Sequence, residues 1–241
     1  MLVLISAIAA HSNLGAVFGF LNARPYWNGP YLSIYFILSA LLSGAALLSI
    51  MYFIVSKVKK DETLYFRGDH IVASLGKLLL FFIGITLFFT TWKILTGLYG
   101  AVPGKYEAVM ITLTGPFAIS FWVFQIGLGM IVPILLLSLS NGFKPSRVFT
   151  AAILVVIGIF FMRLDLLFVG QMIPLEMVKG MQVEMYRTFS ITWSEWAIIF
   201  GAIGGTILLY LVGEKLWNLQ TIVHEDEEKE LSVQTLRVTK A

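Results

Sequence analysis

Six stretches of this chain leave little choice of solvent: residues 1–21, 31–56, 71–95, 115–139, 149–169 and 196–216 are long and almost wholly apolar. The hydrocarbon core of a bilayer is about 30 Å thick and a helix rises about 1.5 Å per residue, so about 20 mainly apolar residues cross it. Charged residues are only 13% of the chain and apolar ones 58%, with a mean hydropathy of +0.86. A soluble domain carries roughly 25% charge, and so few charges could not cover this much apolar surface in water. The runs lack the period-two alternation of a membrane barrel. They are therefore read as helices, which satisfy their own backbone polar groups in lipid. The expected fold is an all-α integral membrane protein, a bundle of about six transmembrane helices over residues 1–217, followed by a charged tail over 218–241.

Basic residues orient such a bundle. Lys57, Lys59, Lys60, Arg67, Lys144 and Arg147 occupy one set of connections, and Lys215, Lys229, Arg237 and Lys240 belong to the tail. The opposite set holds Arg24, Lys105, Lys179 and Arg187 together with an aromatic belt that includes Tyr26, Trp27, Tyr31, Tyr99, Tyr106, Trp193 and Trp196. This asymmetry places both termini in the cytoplasm. The first residues have no basic n-region, so the first run is expected to be a retained helix rather than a signal peptide. With no cysteine in the chain, thiolate-held iron–sulfur clusters and cysteine zinc sites are excluded. The formal net charge of +3 is too small and too dispersed to indicate nucleic acid.

Polar residues within the apolar runs are the candidate site. Arg163 lies 14 residues beyond Phe149, about 21 Å along its helix and hence in the outer part of the core. Asp165 follows one step farther out. Two residues apart on a helix, the pair points to nearly opposite faces, and a charge near mid-membrane costs at least ~2.5 kcal/mol unless paired or wetted. One of them is expected to line a polar pocket; the plainer alternative has Arg163 snorkelling and Asp165 capping the loop. His11 is the histidine within a span, with Asn13 near it; an imidazole can accept or donate a proton, and the plainer alternative is a satisfied structural histidine. A haem held between two histidines is excluded within the chain, because no second histidine lies at membrane depth. Lys93 is expected to snorkel to the outer rim, Thr192 and Glu195 to form a capping box, and Gln125 to hydrogen-bond between helices. Ser39/Ser43, Ala40/Gly44 and Gly201, Gly204 and Gly205 are expected to let helices approach closely. Pro116 and Pro133 bracket the fourth run and should kink it.

Several segments carry a family resemblance in order along nearly the whole chain to Leu216: "AHSNLGAVFGFLNARPYW", "YFILSALLSGAALL", "FWVFQIGLGMIVPILLL", "MRLDLLFVGQMIP" and "SEWAIIFGAIGGTILLYLVGEKL". Together they resemble the NrfD/PsrC-type family of membrane subunits, the polysulfide-reductase membrane-anchor group. The resemblance implies a helical, quinone-binding subunit of an iron–sulfur and molybdopterin oxidoreductase complex in a prokaryotic plasma membrane. Such a subunit holds no haem or cluster itself. It exchanges electrons between menaquinone or ubiquinone and a docked iron–sulfur subunit, with terminal catalysis in a molybdopterin partner. The first matching motif begins at the first residues, so the family's leading helices are expected to be on another polypeptide or missing from this chain. Quinol oxidation releases protons as well as electrons, so it needs a positioned acceptor. Asp165 and His11 are the candidate proton acceptors. Arg163, Asn13, Gln171 and Glu195 are the candidates to line the quinone pocket. A second reading, from a different class, is a proton or ion transporter relaying through His11, Arg163, Asp165 and Glu195.

Overall fold

A computed structural model describes residues 2–59, 62–139, 144–173 and 192–217. The elements follow the apolar runs closely. They are α1 (Leu2–Gly19), α2 (Tyr31–Lys59), α3 (Glu62–Tyr99), α4 (Lys105–Leu113), a π-helix (Ser120–Ile131), α5 (Val132–Ser138), α6 (Pro145–Met172) and α7 (Trp193–Trp217). The described residues contain no strand. Among them, five segments are long and apolar enough to cross a membrane: Tyr31–Ile54, Ile71–Tyr99, Ser120–Ser138, Pro145–Met172 and Trp196–Gly213. The remaining expected span is the 18-residue apolar α1. This is a multi-pass membrane protein.

Residues 1–188 form one unit. Within it α6 and α2 are central: α6 packs on the π-helix, on α2 and on α5, and α2 also packs on α1 and α3. The core between them is built from Leu42, Ala46, Leu79, Ile83, Ala151, Ala152 and Val155. In lipid, association rests on close van der Waals packing rather than on expelling water, so the closest approaches matter most. One is the crossing of α6 and the π-helix at glycine. A methyl on Gly158 would lie 2.3 Å from the Gly129 Cα, and one on Gly129 would lie 2.6 Å from the Gly158 Cα. Another is Gly15, where a methyl would lie 2.6 Å from the α2 backbone at Ser33. The stripe expected at Gly44 behaves differently, because a methyl there meets nothing within 4 Å. The same is true at Gly201, Gly204 and Gly205 on α7, which belongs to the second unit, 189–241. The charged tail lies outside the described residues.

The fourth run differs from expectation. Pro116 lies in the turn between the short α4 and the π-helix rather than in a helix. Along Ser120–Ile131 the backbone bonds reach five residues back, as from the Val132 N–H to the Gly127 carbonyl. A turn of π-helix takes roughly 4.4 residues rather than 3.6. The buried positions follow that longer period: Phe121, then Gln125 and Ile126, then Gly129 and Met130. Pro133, which has no N–H to donate, stands where this pattern gives way to the α-helical bonding of α5.

The loop between α1 and α2 ties the helix ends on its side of the bundle together. The Arg24 guanidinium donates to the carbonyls of Gly170 (3.2 Å), Gln171 (3.1 Å) and Ile173 (2.6 Å), satisfying the free acceptors at the end of α6. The Trp27 indole N–H donates to Leu166 O at 2.9 Å. Pro25 packs on Gly104, whose φ of 81° precedes α4. Glu107 accepts from the Gly104 N–H and so closes the start of that helix.

Candidate functional site

Asp165 is on the face of α6 turned toward the π-helix and is only 3% exposed. Its Oδ1 accepts from the Ser120 hydroxyl at 2.6 Å; its Oδ2 is buried without a hydrogen-bond partner among the described residues. A buried, unpaired carboxylate oxygen is costly, which marks it as a functional candidate. Ser120 reaches Asp165 and Gln125 lines the same cavity because the helix that carries them is a π-helix. Five residues apart, they would diverge by about 140° on an α-helix but by only roughly 50° at 4.4 residues per turn.

The cavity at Asp165 has a volume of about 20 Å³ and is bounded by Tyr26, Tyr35, Thr90, Lys93, Thr112 and Gln125 among others. That is room for about one water molecule. Lys93 does not snorkel to the rim as expected. Its ammonium turns inward, donates to the Tyr26 hydroxyl at 2.6 Å, and lies 4.3 Å and 5.5 Å from the Tyr26 and Tyr35 ring centres. The reason is the partner: Tyr26, brought in by the loop after α1, supplies an oxygen and a π-face that lipid lacks. Burial, reinforced by the Asp165 charge, pushes the Tyr26 phenol well up, so it remains a neutral hydroxyl that accepts from Lys93. Lys93 and Asp165 both line the cavity without a direct ion pair.

Arg163 faces the other way, as its spacing from Asp165 requires. It is half-buried against α2, donates to the Ser39 hydroxyl at 3.0 Å and lies 5.5 Å from the Phe36 ring centre. Asp165 therefore does not cap the loop, and Arg163 is held by α2. His11 is apart from both. Its Nδ1 is 2.9 Å from its own helix's Ala7 carbonyl, and its ring borders a separate groove of about 140 Å³ with Ile37, Ala40 and Leu41 of α2. Asn13 and Gln171 are exposed, and Gln171 contributes its backbone carbonyl to Arg24. Thr192 and Ser194 hydroxyls lie 3.0 Å apart at the start of α7; the Glu195 side chain lies outside the described residues. The structure thus gathers Asp165 with Lys93, Tyr26, Ser120 and Gln125, and places His11, Asn13, Arg163 and Gln171 elsewhere. The signal for Lys93 was in the sequence, as a lysine inside the last turn of an apolar run. Tyr26 had none beyond its place in the aromatic belt.

The profile of the family described as "Polysulphide reductase, NrfD" matches residues 1–176. The chain belongs to the NrfD family. It is 33% identical over 231 residues to a selenate reductase subunit from Mesobacillus selenatarsenatis, covering 93% of this chain and 52% of that one. It is 28% identical over 226 residues to the Hdr-like menaquinol oxidoreductase integral membrane subunit of Archaeoglobus fulgidus, covering 88% of this chain and 55% of that one. Protein NrfD of Escherichia coli is 29% identical over 180 residues, 71% of this chain and 52% of its own length. This NrfD-family chain therefore spans about half the length of the curated relatives it matches. The matched region ends just past α6 and contains every residue of the Asp165 cavity.

Proposed function

We propose that this chain is the quinone-interacting membrane subunit of a multisubunit respiratory oxidoreductase in a prokaryotic plasma membrane. It would exchange electrons between the quinone pool and a docked iron–sulfur subunit, with terminal catalysis in a molybdopterin partner. The observation that carries the proposal is the buried Asp165 carboxylate, one oxygen unpaired among the described residues, in a water-sized cavity beside the Lys93–Tyr26 pair. The relative from Archaeoglobus, a menaquinol oxidoreductase subunit by its name, supports the same chemistry.

A quinone ring does not fit in about 20 Å³, so the redox headgroup binds beside the cavity rather than inside it. Asp165 Oδ2 is the free acceptor for a proton released on quinol oxidation, reached through a single water. The Ser120 hydroxyl fixes the other oxygen and so aims the free one. The Lys93 ammonium offsets the carboxylate charge in a medium of low dielectric, and is itself held by the neutral Tyr26 hydroxyl that accepts from it. His11 remains a second candidate acceptor, in its own groove, while Arg163 is a candidate hydrogen-bond donor facing α2. Basic connections set the termini on the cytoplasmic side, which puts the Asp165 cavity toward the outer surface.

Asp165→Asn tests the reading, because it keeps the shape and the Ser120 contact while removing the proton acceptor. Quinol-dependent turnover of the purified complex should fall by at least about tenfold, within reach of the ~10²–10⁴ range of general-base catalysis, with assembly unchanged. Wild-type turnover in this variant would remove Asp165 from the mechanism. Purification in mild detergent should bring down an iron–sulfur protein. Full ion-transport activity of the isolated chain in liposomes would instead support a transporter.

A further inference from the structure

On the opposite end of the bundle from the Arg24 loop, an apolar groove of about 250 Å³ runs along α5. It is lined by Val132, Leu135, Leu136 and Leu139, and by Arg147 of α6. Val132 to Leu139 spans seven residue steps, about 10 Å of helix, which suits one section of an acyl chain. Leu135 is 47% and Leu139 78% exposed, so the groove opens toward lipid. Arg147 is itself exposed. Lys144, also exposed, immediately precedes α6, whose start has Pro145 in its first turn and no side-chain cap. The 28-residue α6 thus presents the positive end of its dipole and two cations at the same level.

We propose that this groove binds an anionic phospholipid, one acyl chain along the α5 leucines and the phosphate on Arg147 and Lys144. The charge complementarity selects the occupant. A wholly apolar helix from a partner would bring no anion to the guanidinium that lines the groove, whereas a phosphodiester satisfies it in a planar, paired geometry. Basic pockets between membrane helices on the cytoplasmic side recognise such headgroups, and the positive connections of this chain set this end inside.

The test uses the complex purified in mild detergent, delipidated and then offered phosphatidylglycerol, phosphatidylcholine or inorganic phosphate. Retained lipid is read by native mass spectrometry and stabilisation by thermal shift. Phosphatidylglycerol should be retained in preference to phosphatidylcholine and should raise the melting temperature, and phosphate alone should not. Arg147→Gln should lower phosphatidylglycerol retention roughly fivefold, from the contribution of one basic residue near an anionic headgroup. Leu135→Trp, a substitution at an already exposed position, should fill the groove and lower retention of both lipids. Equal retention of the two lipids, an unaffected Arg147→Gln variant, or cross-linking of a probe at position 135 to a polypeptide instead of lipid would overturn the proposal.

Discussion

Gly170→Ala should loosen the end of the bundle that carries the Trp27 loop, and the size of the effect follows from the contacts. A methyl at this position would sit 2.1 Å from Trp27 Cε2 and 2.2 Å from its Nε1. Carbon atoms rest at about 3.5–4.0 Å, so the indole must withdraw by roughly 1.5 Å. That takes its N–H out of reach of Leu166 O, now 2.9 Å away. Overpacking of this kind costs about 1–3 kcal/mol, and the lost hydrogen bond a further ~0.5–1.5 kcal/mol. Alanine's better helix propensity returns roughly 0.5–1 kcal/mol. The net destabilisation is about 2 kcal/mol. With roughly 2–4 °C per kcal/mol for a chain of this size, the melting temperature of the detergent-purified complex should fall by about 4–8 °C. Because Tyr26 adjoins Trp27, the Lys93–Tyr26 contact should shift too and quinol-dependent turnover should drop. Gly44→Ala, where the methyl meets nothing within 4 Å, is the control and should melt at or above the wild-type temperature. The decisive measurement is the double-mutant cycle: in a Trp27→Ala background the Gly170→Ala penalty should vanish. An undiminished penalty there, or a fully stable Gly170→Ala single variant, would refute the clash as its cause.

Gly158→Ala should lower both the melting temperature and quinol-dependent turnover. Its methyl meets backbone at 2.3 Å with no side chain to give way, so the π-helix must move and carry Ser120 from Asp165. A loss of stability with turnover intact, or the reverse, would separate the two effects and argue against the shared crossing. Lys93→Met removes the charge while keeping the length of the side chain. It should cut turnover, and its effect should combine less than additively with Asp165→Asn, because both residues serve one cavity; strictly additive losses would assign them separate roles.

Part of the candidate site can be read directly along the chain. Arg163 and Asp165 face opposite ways because two residues span about 200° of an α-helix, and the structure places one against Ser39 and the other against Ser120. The spans at 31–56 and 149–169 fall within α2 and α6 for an equally local reason, an unbroken apolar run. Lys93 defies its local reading because snorkelling is the default for a lone lysine near a rim, whereas its true partner is 67 residues away. The small-residue positions defy theirs similarly. Gly44 and Gly129 look alike in sequence, but only Gly129 meets another backbone. The π-helix is invisible as well, since its five-residue bonding leaves no mark on composition.

Sequence alone settled the solvent, the helical class and the approximate spans. A bilayer interior offers the backbone no hydrogen bonds, so length and hydropathy suffice to force helices. Tertiary structure decided which polar residues share a cavity. Tyr26, Lys93, Ser120, Gln125 and Asp165 come from a loop and three helices, and their meeting depends on helix rotation and crossing distance. A glycine crossing too close to admit a methyl and a change of helical period set those two quantities, and neither is a local property of the chain.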